Sequence, residues 1–102
     1  MFFYLINGIN KTVEQQASSL TEDRIKSIIG HSSIDSDELN AQNDYLYFDE
    51  SCFIRQTKDA GRFQYKTLAP LAGVAIITGK NDDGFTSPSL TLENIRANIR
   101  FL

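Results

Sequence analysis

Apolar residues recur along the chain at two periods, and the switches between them mark its elements. Phe2 to Ile6 is a short apolar run with aromatic and β-branched content, which predicts a strand. Asn7-Gly8 ends it, and both residues tolerate the positive φ of a type I′ hairpin turn. Ile9 to Gln16 then returns as the partner strand, with Ile9, Lys11 and Val13 on one face. A helix beginning near Lys11 is the competing reading, and the hairpin accounts better for Asn-Gly. The next period is helical. Thr21 is placed to cap, Glu22 and Asp23 bring negative charge to the first turn, and Leu20 and Ile25 have the spacing of a hydrophobic staple. Ile25, Ile28 and Ile29 form one apolar face, and Gly30 is a left-handed terminator, so the helix runs from about Glu22 to Ile29.

His31 to Asn43 is polar and reads as a loop, with at most a helical turn at Ser36 to Ala41. Asp44 to Asp49 and Cys52 to Thr57 read as strands, joined through the hairpin loop Lys58-Asp59-Ala60-Gly61 to Arg62 to Thr67. In that last segment Phe63, Tyr65 and Thr67 alternate with Arg62, Gln64 and Lys66, the pattern of an antiparallel strand with one wet face. Leu71 to Thr78 is more continuously apolar and reads as a central strand, and Gly79 to Pro88 as a loop. A second helix opens at Thr91, stapled by Leu90 and Ile95, with Leu92, Ile95, Ile99 and Leu102 on one stripe and Arg96 and Arg100 toward its end. The two helix starts echo each other (Ser19-Leu-Thr and Ser89-Leu-Thr, each followed by spaced Ile). Shared needs for a cap, a staple and an apolar face explain the echo better than duplication, because the flanking strands do not repeat.

These elements predict a single α+β domain over residues 1–102. Its order would be β-β-α-β-β-β-β-α, a mainly antiparallel sheet of about four to six strands with two helices packed on one face. The expected core is Phe3, Leu5, Ile25, Ile28, Ile29, Leu46, Phe48, Ile54, Phe63, Tyr65, Val74, Ile76, Ile95 and Ile99. Composition excludes several classes. Hydrophobic residues are 41% and charged residues 23%, which is globular rather than disordered usage. One Cys excludes a disulfide framework. The apolar start is cut short at Asn7-Gly8 and has no basic flank, so it does not read as a signal peptide, and no run approaches a membrane span. A cytoplasmic setting is expected, and Asn10-Lys11-Thr12 then matches a glycosylation sequon by chance.

Chemistry is sparsely signalled. Gly79-Lys80-Asn81 after an apolar strand resembles a phosphate loop, but the spacing is off by one and Asn81 stands where Ser or Thr would hold magnesium. Asn81-Asp82-Asp83-Gly84 lacks the alternating acids and distal Glu of a calcium loop. His31 and Cys52 are the only residues of their kinds. Cys52 lies in a strand pattern and His31 directly follows a helix terminator, where it is placed to meet the last carbonyls, so neither a nucleophile pair nor a zinc site is expected. No catalytic residue, metal or cofactor is assigned. Phe63 and Tyr65 share a face opposite Arg62 and Lys66, which suits a core strand better than a base-stacking platform, and the net charge of −3 disfavours nucleic acid.

That net charge hides a division. Residues 1–51 hold 3 basic and 9 acidic residues, whereas 52–102 hold 7 basic and 4 acidic. From Ser27 to Ile54 there is no Lys or Arg, and Asp35, Asp37, Glu38, Asp44, Asp49 and Glu50 all fall there. Either these acids are neutralised across the sheet by Arg55, Arg62 and Lys66, or they form a surface that docks on a basic partner protein. The second possibility leads to the functional expectation of a non-enzymatic binding module of the inhibitor, immunity or adaptor kind. The alternative is a small-molecule or minor enzymatic domain with a pocket between sheet and helices lined by Tyr4, Tyr45, Tyr47 and Tyr65. A homodimer through an edge strand is a third route. The placement of the second helical stripe is directly checkable: Ile95→Ala should cost about 2–5 kcal/mol in denaturant unfolding, and a change within error would reject it.

Overall fold

The computed structural model describes residues 1–51 and 61–102. The expected strand Cys52 to Thr57, the turn residues Lys58 to Ala60 and the core position Ile54 lie outside the described residues. Both helix starts form as the residues dictate. In α1 (Glu22–Ile29) the Thr21 side chain accepts from the Arg24 N–H at 3.1 Å, and Gly30 terminates with φ 84° while its N–H donates to the Lys26 carbonyl at 2.8 Å. In α2 (Leu92–Asn98) the Thr91 side chain accepts from the Asn94 N–H at 3.1 Å.

The main sheet comprises β1 (Phe3–Asn7), β2 (Thr12–Gln16), β3 (Ile34–Glu38), β4 (Asp44–Asp49), β7 (Val74–Asn81) and β8 (Gly84–Thr86). Its order is β2-β1-β7-β4-β3, with β8 paired to the far end of β7 and every pairing antiparallel. A second sheet, β6-β5-β9, is formed by β5 (Arg62–Tyr65), β6 (Leu71–Ala72) and β9 (Ile99–Phe101). The α+β class and the mainly antiparallel sheet are therefore as expected.

The helices do not share a face. Along β1, β4 and β7 successive side chains point to opposite sides, and both sides are apolar. Phe3, Tyr47 and Ile76 pack with Leu20, Ile25 and Ile29 under α1. Tyr4, Ile6, Leu46, Phe48, Ala75 and Ile77 pack with Phe63, Tyr65 and Leu71 of the second sheet and with Ile95 of α2. Central strands that are apolar at consecutive positions demand a layer on each side. Ile6, Leu46, Ile76 and Ile77 are 0% exposed, and full burial of each such side chain contributes about 1.5–3 kcal/mol.

Four segments differ from the expectation. Leu71 to Thr78 is two strands, because at Gly73 (φ 85°) the chain leaves the second sheet and enters the first. The second helix stops at Asn98. Ile99 turns extended, and β9 pairs with β5, which half-buries Ile99 and Phe101 two residues apart and leaves Leu102 52% exposed. Gly79 to Pro88 contains the β7–β8 hairpin, turned at Asp82-Asp83. The polar stretch after α1 contains β3.

The first hairpin forms, but not through a two-residue turn at Asn7-Gly8. Strand pairing ends at Asn7↔Thr12, the Asn7 side chain accepts from the N–H groups of Ile9 and Asn10, and positive φ falls at Lys11 (57°). Gly8 has a different task. Its N–H donates to the Gly73 carbonyl at 2.8 Å, and the Gly73 N–H donates to the Gly61 carbonyl at 3.0 Å. A Cβ on Gly8 would lie 2.3 Å from the Gly61 oxygen. Gly8→Ala is therefore expected to destabilise at or beyond the ~1–3 kcal/mol typical of overpacking. Gly30→Ala has open space and only its φ to resist, so it should cost about 1–2 kcal/mol. Equal losses in urea unfolding would contradict the close backbone approach.

Candidate functional site

The six acids separate into two groups once folded. Asp44 and Asp49 are buried, at 1% and 4% exposure. The Asp44 carboxylate accepts from the Ser89 N–H (2.9 Å), the Ser89 hydroxyl (2.5 Å) and the Asn40 side-chain amide (2.9 Å). It thereby ties the β3–β4 turn to the segment before α2, since a buried carboxylate must be hydrogen-bonded to be tolerated. Asp49 accepts from the Ser51 N–H at 3.0 Å and lies 3.5 Å from His31 Nε2. His31 thus uses its ring on Asp49, while its backbone N–H donates to the Lys26 carbonyl at the helix end. Neither Asp44 nor Asp49 is free to meet a partner, which removes both from the docking surface expected of them.

The other four remain at the rim. Asp35, Glu38 and Glu50 are exposed and Asp37 is half-buried. Three of them belong to β3, an outer strand of the main sheet, and Glu50 directly follows β4. Register places Asp35 opposite Phe48 and Asp37 opposite Leu46, on the α2 side of the sheet, and Glu38 opposite Tyr45, on the α1 side. Among the described residues no ion pair joins any of the four to a basic side chain. Arg62 lies in the second sheet, and Lys66 sits 5.7 Å from the Tyr65 ring centre. Arg55 lies outside the described residues.

The four tyrosines do not converge. Tyr4 of β1 and Tyr65 of β5 are in the core between the two sheets, with Tyr4 donating to the Leu90 carbonyl at 2.8 Å. The Tyr65 hydroxyl is buried with no hydrogen-bond partner among the described residues. Tyr45 and Tyr47 are on the α1 side, where their rings stand 6.4 Å apart and Tyr47 meets Phe85 edge-on at 5.7 Å. There α1 covers only part of the sheet. A groove of about 400 Å³ remains, lined by Glu22, Ile34, Asp35, Ser36, Tyr47, Lys80 and Phe85. A smaller one of about 250 Å³ adjoins it through Ser36, Tyr47 and Lys80, and reaches Tyr45, Asn43, Asn81 and Asp82. The Lys80 ammonium sits 5.8 Å from the Phe85 ring centre, within cation–π range. Lys80 and Phe85 were not expected at a site. They are cross-strand partners, and period-two reading on both sides of Asp82-Asp83 was the available signal.

The remaining chemical candidates are placed as ordinary structure. Gly79-Lys80 lies within β7 rather than in a phosphate-cradling loop, and Asn81 accepts from the Asp83 N–H within the tight turn. Among the described residues no three His, Cys, Asp or Glu side chains gather in a way that could hold a metal ion. No described helix is long and apolar enough to cross a membrane. Cys52 lies outside the described residues. Compared with protein-family models, curated proteins and solved structures, the chain matches none of them.

Burial raises the hydroxyl pKa of Tyr4, Tyr47 and Tyr65 above the ordinary 10.0. The Asp44 charge adds to this at Tyr4 and Tyr65, and at Tyr47 the Tyr45 and Glu22 charges add while the Ser36 side chain opposes. An acid whose folded pKa is raised is held in its neutral form, so its stabilisation is complete below the unfolded value and is lost as pH climbs through the folded one. Melting temperature should therefore fall as pH rises past about 10. A melting temperature that stays flat from pH 9 to 12 would contradict the burial of these phenols.

Proposed function

We propose that this protein is a non-enzymatic binding module of the inhibitor, immunity or adaptor kind, which engages a basic surface of another protein through the rim formed by β3 and the end of β4. The observation that carries the reading is that three of the four acids left at this rim, Asp35, Asp37 and Glu38, lie on an outer strand, and that none of the four has an ion-pair partner among the described residues. Unpaired like charges cost little in water, and they steer a basic partner into place and select against acidic ones. Asp35, Asp37, Glu38 and Glu50 form this surface. The buried carboxylates Asp44 and Asp49 hold the loops that support it.

Reversing the exposed charges tests the reading. Affinity capture with the native protein and with the triple variant Asp35→Lys, Asp37→Lys, Glu38→Lys should differ by tenfold or more, and native capture should weaken as salt rises. Circular dichroism establishes that the variant is folded. Indistinguishable capture, or capture insensitive to salt, would refute it.

A second reading is favoured by a separate observation, the aromatic walls of the groove at Tyr45, Tyr47 and Phe85 beside Lys80. Concave sites with apolar walls and a few polar groups are where small ligands bind. A thermal-shift screen of metabolites and nucleotides separates the readings, because a ligand bound there would raise the melting temperature of the native protein and of an Asp37→Lys, Glu38→Lys variant alike, neither residue lining the groove.

A further inference from the structure

The way β3 is paired determines what its outer side presents. The Leu39 N–H donates to the Asp44 carbonyl at 2.8 Å, and the Glu50 N–H donates to the Ser33 carbonyl at 3.1 Å. Odd-numbered residues of this strand therefore form the hydrogen-bonded pairs with β4, and the peptide groups of Ile34, Ser36 and Glu38 point away from the sheet. Among the described residues, the one backbone hydrogen bond made on that side is from the Ser36 N–H to the carboxylate of its own neighbour Asp35, at 2.8 Å. On the opposite edge, Arg96 of α2 donates to the Val13 carbonyl of β2 at 2.7 Å.

An edge with no strand beside it among the described residues invites one, and the first candidate is a second copy. Its geometry is unfavourable. An antiparallel copy that satisfied the outward peptide groups would pair even residues with even and odd with odd. Centred on Ser36 it sets Asp35 against Asp37 of the copy; shifted by two residues it sets Asp35 against Asp35, or Asp37 against Asp37. Like charges directly opposite destabilise a strand pair. The same geometry rewards an opposite-charge strand. A residue opposite Ser36 would fall on the other side of the sheet, where Ile34, Ser36 and Tyr47 line the groove.

We infer that β3 receives an added strand from a partner protein: an extended segment with Lys or Arg at alternate positions facing Asp35 and Asp37, and an apolar residue between them directed toward the groove. This rests on the basic-partner reading above and specifies its mode. Asp35 acts as the guard of the edge. Its carboxylate occupies the Ser36 N–H until a cation on the incoming strand draws it away, so a neutral or acidic strand meets a closed position. Main-chain hydrogen bonds then supply affinity and the alternating side chains supply specificity.

Synthetic octapeptides that alternate Lys and Val, end-capped, test the mode. In the predicted pairing the Val amides donate to β3 and the Lys amides point away. N-methylation of the Val amides should weaken binding at least tenfold in titration calorimetry, whereas N-methylation of the Lys amides should leave it within about threefold. Binding should perturb the amide resonances of Ile34, Ser36 and Glu38, and a Glu–Val alternating peptide should not bind. Equal affinity of the two methylated peptides, with loss of both on Asp35→Lys, Asp37→Lys, would overturn strand addition while leaving the acidic rim as a docking surface. Absence of binding by the unmodified peptide at low salt would also overturn it. Concentration-dependent shifts of the same three amides in the protein alone would assign the edge to a second copy instead.

Discussion

The two sheets are held together where three glycines meet. Gly8 leaves β1, Gly61 enters β5, and Gly73 carries the chain from β6 into β7. Their backbones bond directly, Gly8 to Gly73 and Gly73 to Gly61. No side chain larger than hydrogen fits between Gly8 and Gly61, since a Cβ on either would lie 2.3 Å from the other's backbone. This contact lays the second sheet over one side of the first. It allows Phe63, Tyr65 and Leu71 to cover Ile6, Leu46 and Ile77, and leaves the other side to α1.

Coverage of the main sheet is unequal, and the unequal parts are where its surface chemistry collects. One side is roofed by the second sheet and α2. The other has an eight-residue helix that leaves Tyr45, Tyr47 and Phe85 along a groove. The two outer strands differ as well: β2 carries one acid and accepts from Arg96 of α2 at Val13, whereas β3 carries three acids. The groove and the acidic strand share Ile34, Asp35 and Ser36, so a segment laid along β3 would reach both. Asp44, counted by charge alone among the acids of a docking surface, instead fastens the β3–β4 turn to Ser89 and so holds this rim against the body of the protein.

Local signals were legible and tertiary ones were not. Thr21, Gly30 and Thr91 acted as caps because capping is decided by neighbours three or four residues away. The pattern of Phe63 and Tyr65 correctly marked an inward face. Leu71 to Thr78 looked like one strand because side-chain alternation does not register the turn at Gly73 that redirects the chain to another sheet. Ile99 and Leu102 fit a helical stripe, but β5 offered an edge that Ile99 and Phe101 satisfy at a spacing of two. The acidic strand read as a loop because outer strands are charged for the reason that makes them hard to recognise: apolar ones would aggregate. Its six-acid stretch was visible in the sequence, yet burial of Asp44 and Asp49 depends on Ser89 and His31, partners distant along the chain.

The central claim is that among the described residues β3 is paired on one side only, with odd residues facing β4 and even residues facing out. Amide hydrogen exchange on the free protein measures this directly. The account predicts an alternation: slow exchange at Asp35 and Asp37, fast exchange at Ile34 and Glu38, and an intermediate rate at Ser36, whose N–H is held by the Asp35 carboxylate. Uniform protection along Ile34 to Glu38, or slow exchange at the even positions, would contradict it.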